Sequence, residues 1–184
     1  MARVRSIGPE ELAPDLRAIY EEFAGRYGPF RNQVAVIAHV TQALRHLMSM
    51  LLELRKAGRV KRRYIELAIV AVSKVNECHY CVAHHKPMLA VEGLSPSAAD
   101  RVLDYQNHPD LDEVDKLVVE YSIAVTKDPQ RIRDAMFERL RRHFDEAEIV
   151  ELTLRATLCG FFNRFNDALQ IDEEAEVRAD SIGA

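Results

Sequence analysis

Four residues have the types and the spacing for thiol redox chemistry: Glu66, Cys78, Cys81 and His85. They stand in Tyr64-Ile65-Glu66-Leu67 and in Asn76-Glu77-Cys78-His79-Tyr80-Cys81-Val82-Ala83-His84-His85. At about 100° per residue, Cys78, Cys81 and His85 share an arc of roughly 60° on one helix. Residues three and four apart are surface neighbours, so His85 lies one turn beyond Cys81, within reach for proton transfer. A CxxC pair on a helix can also close a disulfide, because its Cα separation falls in the usual range of about 4.4–6.8 Å. With Asn76 as the N-cap, Cys78 falls in the first turn and Cys81 just after it. Unpaired N–H groups and the positive end of the helix dipole favour a thiolate there, and the thiolate is the reactive form.

Glu66 enters by the same geometry. If residues 61–75 and 77–92 form a helical hairpin folded near Asn76, reflection about that point sets Glu66 opposite His85. A carboxylate among Ile65, Leu67, Ala68 and Ile69 is costly to bury without a partner. Pairing with His85 would orient the imidazole and help it move protons.

Competing readings exist for each residue. Buried cysteines are often plain core residues, and Cys159 is expected to be one. Zinc would need a fourth ligand beside Cys78, Cys81 and His85, from His84, Glu66 or Cys159. Three ligands on one continuous helix make a poor tetrahedron and no second CxxC exists, so no metal is expected. His84 points about 90° away from the thiol seam and is expected at the surface or at a subunit contact. His79 is expected to be exposed, with Cys78 in reach of its influence. Tyr80 is expected to pack, with an accessory catalytic role as the alternative. His39, His46, His108 and His143 have no partners at informative spacing.

The elements that must hold these groups read as helices throughout, because no segment sustains a two-residue alternation. The pattern predicts helices over Pro9–Arg26, ending near Gly28-Pro29, and Gln33–Ala57, stopped by Gly58. Others are predicted over Lys61–Val75, from Asn76 to near Gly93, and from Ser95-Pro96 to about Asn107. The last three run from Asp112 to before Asp128-Pro129, over Ile132–His143, and from the Asp145/Glu148 capping pair to Gln170. Shifting the chain by 85 positions pairs Glu66-Leu67 with Glu151-Leu152, Tyr80 with Phe165, and Cys78 and Cys81 with Asn163 and Asn166. Duplication of a helix pair and chance agreement between amphipathic helices both account for that offset.

The fold class is therefore all-α, as a single domain over 1–184 with its core at about 9–170 and an acidic tail at 171–184. At 184 residues and 48% hydrophobic composition the chain can bury a sizeable core. A net charge of −4 argues against nucleic acid as a partner. No apolar run reaches the roughly 20 residues of a membrane span, and the apolar stretch from Gln33 to Leu54 is broken by His39, Gln42, Arg45 and His46. No secretory signal follows Met1-Ala2-Arg3-Val4-Arg5, so the expected compartment is the reducing cytoplasm, where a close cysteine pair suggests catalysis more than a permanent staple. The basic run Arg55, Lys56, Arg59, Lys61, Arg62 and Arg63 is read as helix-end compensation and pairing with acidic neighbours, a partner-binding patch being the alternative. Asn163, Arg164 and Asn166 are candidates for pocket or subunit contacts, against capping and packing. A stripe of Val34, Val36, Ile37, Val40, Leu44, Leu47, Met48, Leu51 and Leu52 is wider than one neighbouring helix covers, which suggests oligomerisation.

The pattern Glu66, eleven residues, Cys78, two residues, Cys81, three residues, His85 resembles the alkylhydroperoxidase D-like (AhpD-like) group of the carboxymuconolactone decarboxylase superfamily. Weaker resemblance runs from about Pro9 to Gln170 and includes the Gly28-to-Asn32 turn. It implies an all-helical fold assembling as trimers or hexamers. It also implies reduction of organic hydroperoxides, with Cys81 attacking, Cys78 resolving, His85 as base and Glu66 in the proton relay. Tyr80 stands where some members carry a histidine. No bound cofactor is implied; an external thiol, dithiol or redox protein would supply electrons. The decarboxylases resemble the chain in fold but lack the cysteine pair, which disfavours a lyase. A redox sensor or regulator using the same pair is the other alternative.

Overall fold

The computed structural model describes residues 2–26 and 30–174, and every regular element among them is a helix or helical turn. The predicted end of the first helix at Gly28-Pro29 and the tail beyond residue 174 lie outside the described residues. The chain forms two compact units, one of Met1–Gly58 with Asn166–Ala184 and one of Arg59–Phe165.

In the first unit a 3-10 turn at Pro9–Glu11 precedes helix α1, Pro14–Arg26. The single helix predicted here is split at Leu12, which is extended (φ −100°, ψ 148°). Pro14 then starts α1 afresh: its ring disfavours the α region at Ala13, the residue before it, and suits the first helical position. Next come α2 (Arg31–Ile37), α3 (Thr41–Ala43), a π turn at Leu44–Met48 and α4 (Ser49–Ala57). The predicted continuous helix over Gln33–Ala57 is broken at Val40 (φ −112°, ψ 90°). A distant segment competes for its backbone. The Ala35 carbonyl accepts from Ile7 N–H at 3.0 Å, and the His39 ring bonds to the Arg5 carbonyl at 2.8 Å. Gly58 ends α4 in the left-handed region at φ 57°, as predicted.

The apolar stripe in this unit is covered by the chain itself. Val34, Leu44 and Met48 have no exposure, and Val40, at 55%, is the member left in solvent.

The second unit contains α5 (Arg62–Val75), α6 (His79–Val91) and α7 (Pro96–Asp100), then a 3-10 turn at Val102–Asn107. Helix α8 (Glu113–Lys127) follows, then a 3-10 turn at Pro129–Arg131, α9 (Asp134–Leu140) and α10 (Glu146–Leu169). Its core joins Leu67 and Val70 of α5, Leu89 of α6, Val118 of α8 and Leu152 of α10, all fully buried. Each such side chain is worth about 1.5–3 kcal/mol of transfer free energy. The start signals are met in detail. Ser95 Oγ accepts from Ala98 N–H, and the pairs Asp112/Asp115 and Asp145/Glu148 exchange reciprocal capping bonds.

The 85-residue offset does not reproduce a helix pair. Helix α10 is continuous over Glu146–Leu169, through the positions that correspond to the break at Asn76–Cys78.

Within this unit Arg63 of the basic run is used internally. Arg63 grips Asp115, its Nη2 2.6 Å from one carboxylate oxygen and its Nε 3.0 Å from the other, and also donates to the Glu92 carbonyl at 2.7 Å. Asp115 is 1% exposed, so removing its partner strands a buried carboxylate. Arg63→Ala is expected to cost about 3 kcal/mol, read as a lower urea midpoint with an unchanged denaturant slope; an unmoved midpoint would refute this account of the pair.

Candidate active site

The site begins where α5 ends. Asn76 is its C-cap, and Glu77 turns into the left-handed region at φ 58°. Cys78 N–H then reaches back to the Ser73 carbonyl at 2.9 Å, and Glu77 N–H to the Lys74 carbonyl at 3.3 Å. These are the paired bonds of a Schellman motif, with a glutamate in the place glycine usually takes. The predicted cap is therefore corrected: Asn76 closes α5, and Cys78, extended at φ −81° and ψ 100°, is the N-cap of α6. Cys78 does not lie on the helical arc that the spacing suggested, whereas Cys81 and His85 do, one turn apart.

Cys81 is the third residue of α6, and the first intrahelical bond is Val82 N–H to the Cys78 carbonyl at 3.1 Å. The N–H groups of the preceding turn, including that of Cys81, thus have no i−4 carbonyl inside the helix. Their dipoles concentrate positive potential at this end of α6. Cys78 is fully buried and Cys81 is 3% exposed. All three cysteines are thiols in this structure.

His85 and Glu66 meet as the hairpin reflection required. His85 Nδ1 lies 2.7 Å from Glu66 Oε2, with the side chains 12% and 8% exposed. An ionised carboxylate only accepts, so Nδ1 carries the proton and Nε2 is left as the basic nitrogen. The bond satisfies a carboxylate that α5 buries and fixes the imidazole ring one turn beyond Cys81.

The remaining expectations separate clearly. His79 is exposed. Tyr80 is buried and its ring stacks on His84, centroids 4.0 Å apart. The expectation of a surface His84 is overturned: it has no exposure, and its Nδ1 donates to the Tyr80 carbonyl at 2.5 Å. Helix α6 is covered on more than one face, so a residue a quarter turn from the thiol seam still points into protein. His108 is also buried, held by the Ala98 carbonyl at 2.9 Å and by Asp110 N–H at 3.2 Å. Arg164 is exposed, and Asn166 is buried, accepting from Gln33 Nε2 at 3.0 Å.

Cys159 is a core thiol. Its Sγ lies 3.2 Å from Ser73 Oγ, and burial above all pushes its pKa up to about 12. Alkylation at pH 8 is therefore expected to leave Cys159 unlabelled in the folded protein and to modify it only in denaturant, read by peptide mass spectrometry. Labelling of Cys159 ahead of Cys81 would overturn this assignment. Ser73 carries no sequence signal of its own as a site residue; Asn163 is a candidate for pocket or subunit contacts and stands opposite Cys78 in the offset comparison. Among the described residues no group of three or more His, Cys, Asp or Glu side chains is placed to hold a metal ion, and no helix is long and apolar enough to cross a membrane.

Comparison with known proteins agrees with this architecture. Residues 38–104 match the carboxymuconolactone decarboxylase family. The chain is 28% identical over 112 residues to the uncharacterized protein YnjA of Escherichia coli (strain K12), a match spanning 61% of this chain and 62% of YnjA. The fold is similar to the alkylhydroperoxidase AhpD core of an uncharacterized peroxidase-related protein from Ralstonia eutropha JMP134, at a TM-score of 0.80 and 22% identity over 99% of this chain and 97% of that one. It is similar as well to the debrominase Bmp8, at a TM-score of 0.77 and 18% identity over 97% and 96% of the two chains. With the match over residues 38–104 and the shared helical architecture in agreement, the chain is similar to AhpD-like proteins of the carboxymuconolactone decarboxylase superfamily.

Proposed function

We propose that the protein is a thiol-dependent peroxidase that reduces organic hydroperoxides through Cys78 and Cys81. The observation that carries the reading is the 2.7 Å His85–Glu66 bond one helical turn beyond Cys81. It supplies an oriented base beside a thiol at the electropositive start of a helix. In the first step His85 Nε2 takes the proton of the Cys81 thiol and the thiolate attacks the terminal peroxide oxygen; the O–O bond breaks and Cys81 becomes a sulfenic acid. The departing alkoxide takes a proton from His85 and leaves as the alcohol. Cys78 thiol then attacks the sulfenic sulfur, water leaves, and a Cys78–Cys81 disulfide forms. An external dithiol reduces that bond by exchange and is itself oxidised to a disulfide. The sum is one hydroperoxide and one dithiol converted to alcohol, water and one disulfide.

Burial of both sulfurs restricts the substrate to a slim peroxide group presented end-on to Cys81. The test is intact-protein mass spectrometry after one equivalent of organic hydroperoxide. A loss of two hydrogens, mapped to a 78–81 bridge, is expected. Three unmodified thiols would overturn the reading. A bridge that forms without catalytic turnover in the presence of a dithiol would instead indicate a redox sensor. The debrominase of similar fold supplies the competing substrate class, a bromoaromatic, for the same turnover assay.

A further inference from the structure

The turn that carries Cys78 is held from outside its own hairpin. Asn76 Nδ2 donates to Asn163 Oδ1 at 2.8 Å, and Asn163 Nδ2 donates to Ser73 Oγ at 3.2 Å. Ser73 Oγ in turn lies 3.2 Å from Cys159 Sγ. Ser73 and Asn163 have no exposure. One amide on α10 thus bridges two residues of α5, and both belong to the turn. Ser73 gives its backbone carbonyl to Cys78 N–H, and Asn76 is the residue after which the chain swings into the left-handed region at Glu77. A non-glycine residue adopts that conformation at a cost, and it persists where surrounding contacts over-determine it. Helix α10 approaches closely here: a methyl group added to Gly160 would come 3.9 Å from Asn76 Nδ2.

We propose that Asn163 is a positioning residue for the thiol pair, holding Ser73 and Asn76 so that the Schellman turn presents Cys78 to Cys81. The inference rests on the redox reading of that pair. Asn163 acts through the backbone that sets the direction of the Cys78 side chain. A disulfide tolerates only narrow limits of Cα separation and torsion, so loosening the turn lowers the effective concentration of one thiol toward the other.

The experiment equilibrates the full chain with glutathione redox buffers and quantifies the 78–81 bridge by alkylation and mass spectrometry. Asn163→Leu keeps the branched heavy-atom shape and removes the bonds to Asn76 and Ser73, together with the longer contacts to Cys159 Sγ; Asn76→Ala cuts the same link from the half-buried end and decides the question if the first variant does not fold. Each is expected to lower the effective thiol concentration about tenfold, a rise in reduction potential of about 30 mV. Arg63→Ala, destabilised away from the turn, is expected to keep the wild-type potential. A wild-type potential in Asn163→Leu and Asn76→Ala would overturn the positioning role and leave the redox reading intact. An equal shift in Arg63→Ala would overturn it too, because general loosening would then account for the change. A wild-type protein that forms no 78–81 bridge in oxidised glutathione would instead sink the redox reading itself.

Discussion

Hydroperoxide turnover in Cys81→Ser is expected to fall to the uncatalysed background, a loss on the order of 10³-fold or more. A serine hydroxyl at the third position of α6 sits in the same helix-end field, but its oxygen remains protonated near neutral pH and does not attack peroxide. Cys78→Ser makes the sharper contrast. Its Cys81 should still be oxidised once, but with no resolving thiol the sulfenic acid persists and excess peroxide carries it to sulfinic acid. Single-turnover kinetics with mass spectrometry separate the two variants. Equal first-turnover rates in wild type and Cys81→Ser would remove Cys81 as the nucleophile. Loss of the first turnover in Cys78→Ser, with Cys81 left reduced, would reverse the two roles.

The second large effect belongs to Glu66. Glu66→Gln keeps the side-chain shape and an oxygen that can accept from His85 Nδ1–H, so the ring keeps its orientation. What it loses is the negative charge that stabilises an imidazolium during proton transfer. The rate constant for peroxide reduction is expected to drop by about 10²-fold, at the lower end of what a positioned acid–base group contributes, with little change in thermal stability. Glu66→Ala should drop further and also destabilise the fold by about 1–3 kcal/mol, because it removes the carboxylate that the half-buried His85 Nδ1–H bonds to. Stopped-flow peroxide consumption read beside thermal unfolding separates chemistry from folding. Undiminished activity in Glu66→Gln would show that the carboxylate only packs.

The position of Asn163 adds a second layer to this site. In the proposed mechanism His85 of α6, paired with Glu66 of α5, handles the protons of the thiols, while an amide from α10 holds the turn between those two helices. The two layers answer to different measurements: Glu66 to a rate, Asn163 to a potential.

The local pattern determined which segments are helical and where most of them start and stop. Gly58, Ser95-Pro96, Asp112 and the Asp145/Glu148 pair act through bonds to residues three or four positions away. Such bonds need no knowledge of the rest of the chain. The Glu66–His85 contact was legible for a related reason: two helices joined by a tight turn have their facing residues set by reflection about it. Tertiary structure decided the rest. The carbonyl of Ala35 goes to Ile7 and the long second helix is interrupted. The apolar stripe is covered by its own chain, and His84 is enclosed although its helix face looked free. Cys78 is a cap instead of a helical residue where Glu77 adopts positive φ and Asn76 bonds to Asn163, 87 positions further on. Each of these turns on a hydrogen bond or a buried surface contributed from far away in sequence. Periodicity along one segment carries no information about such a partner, and there the sequence by itself left the outcome open.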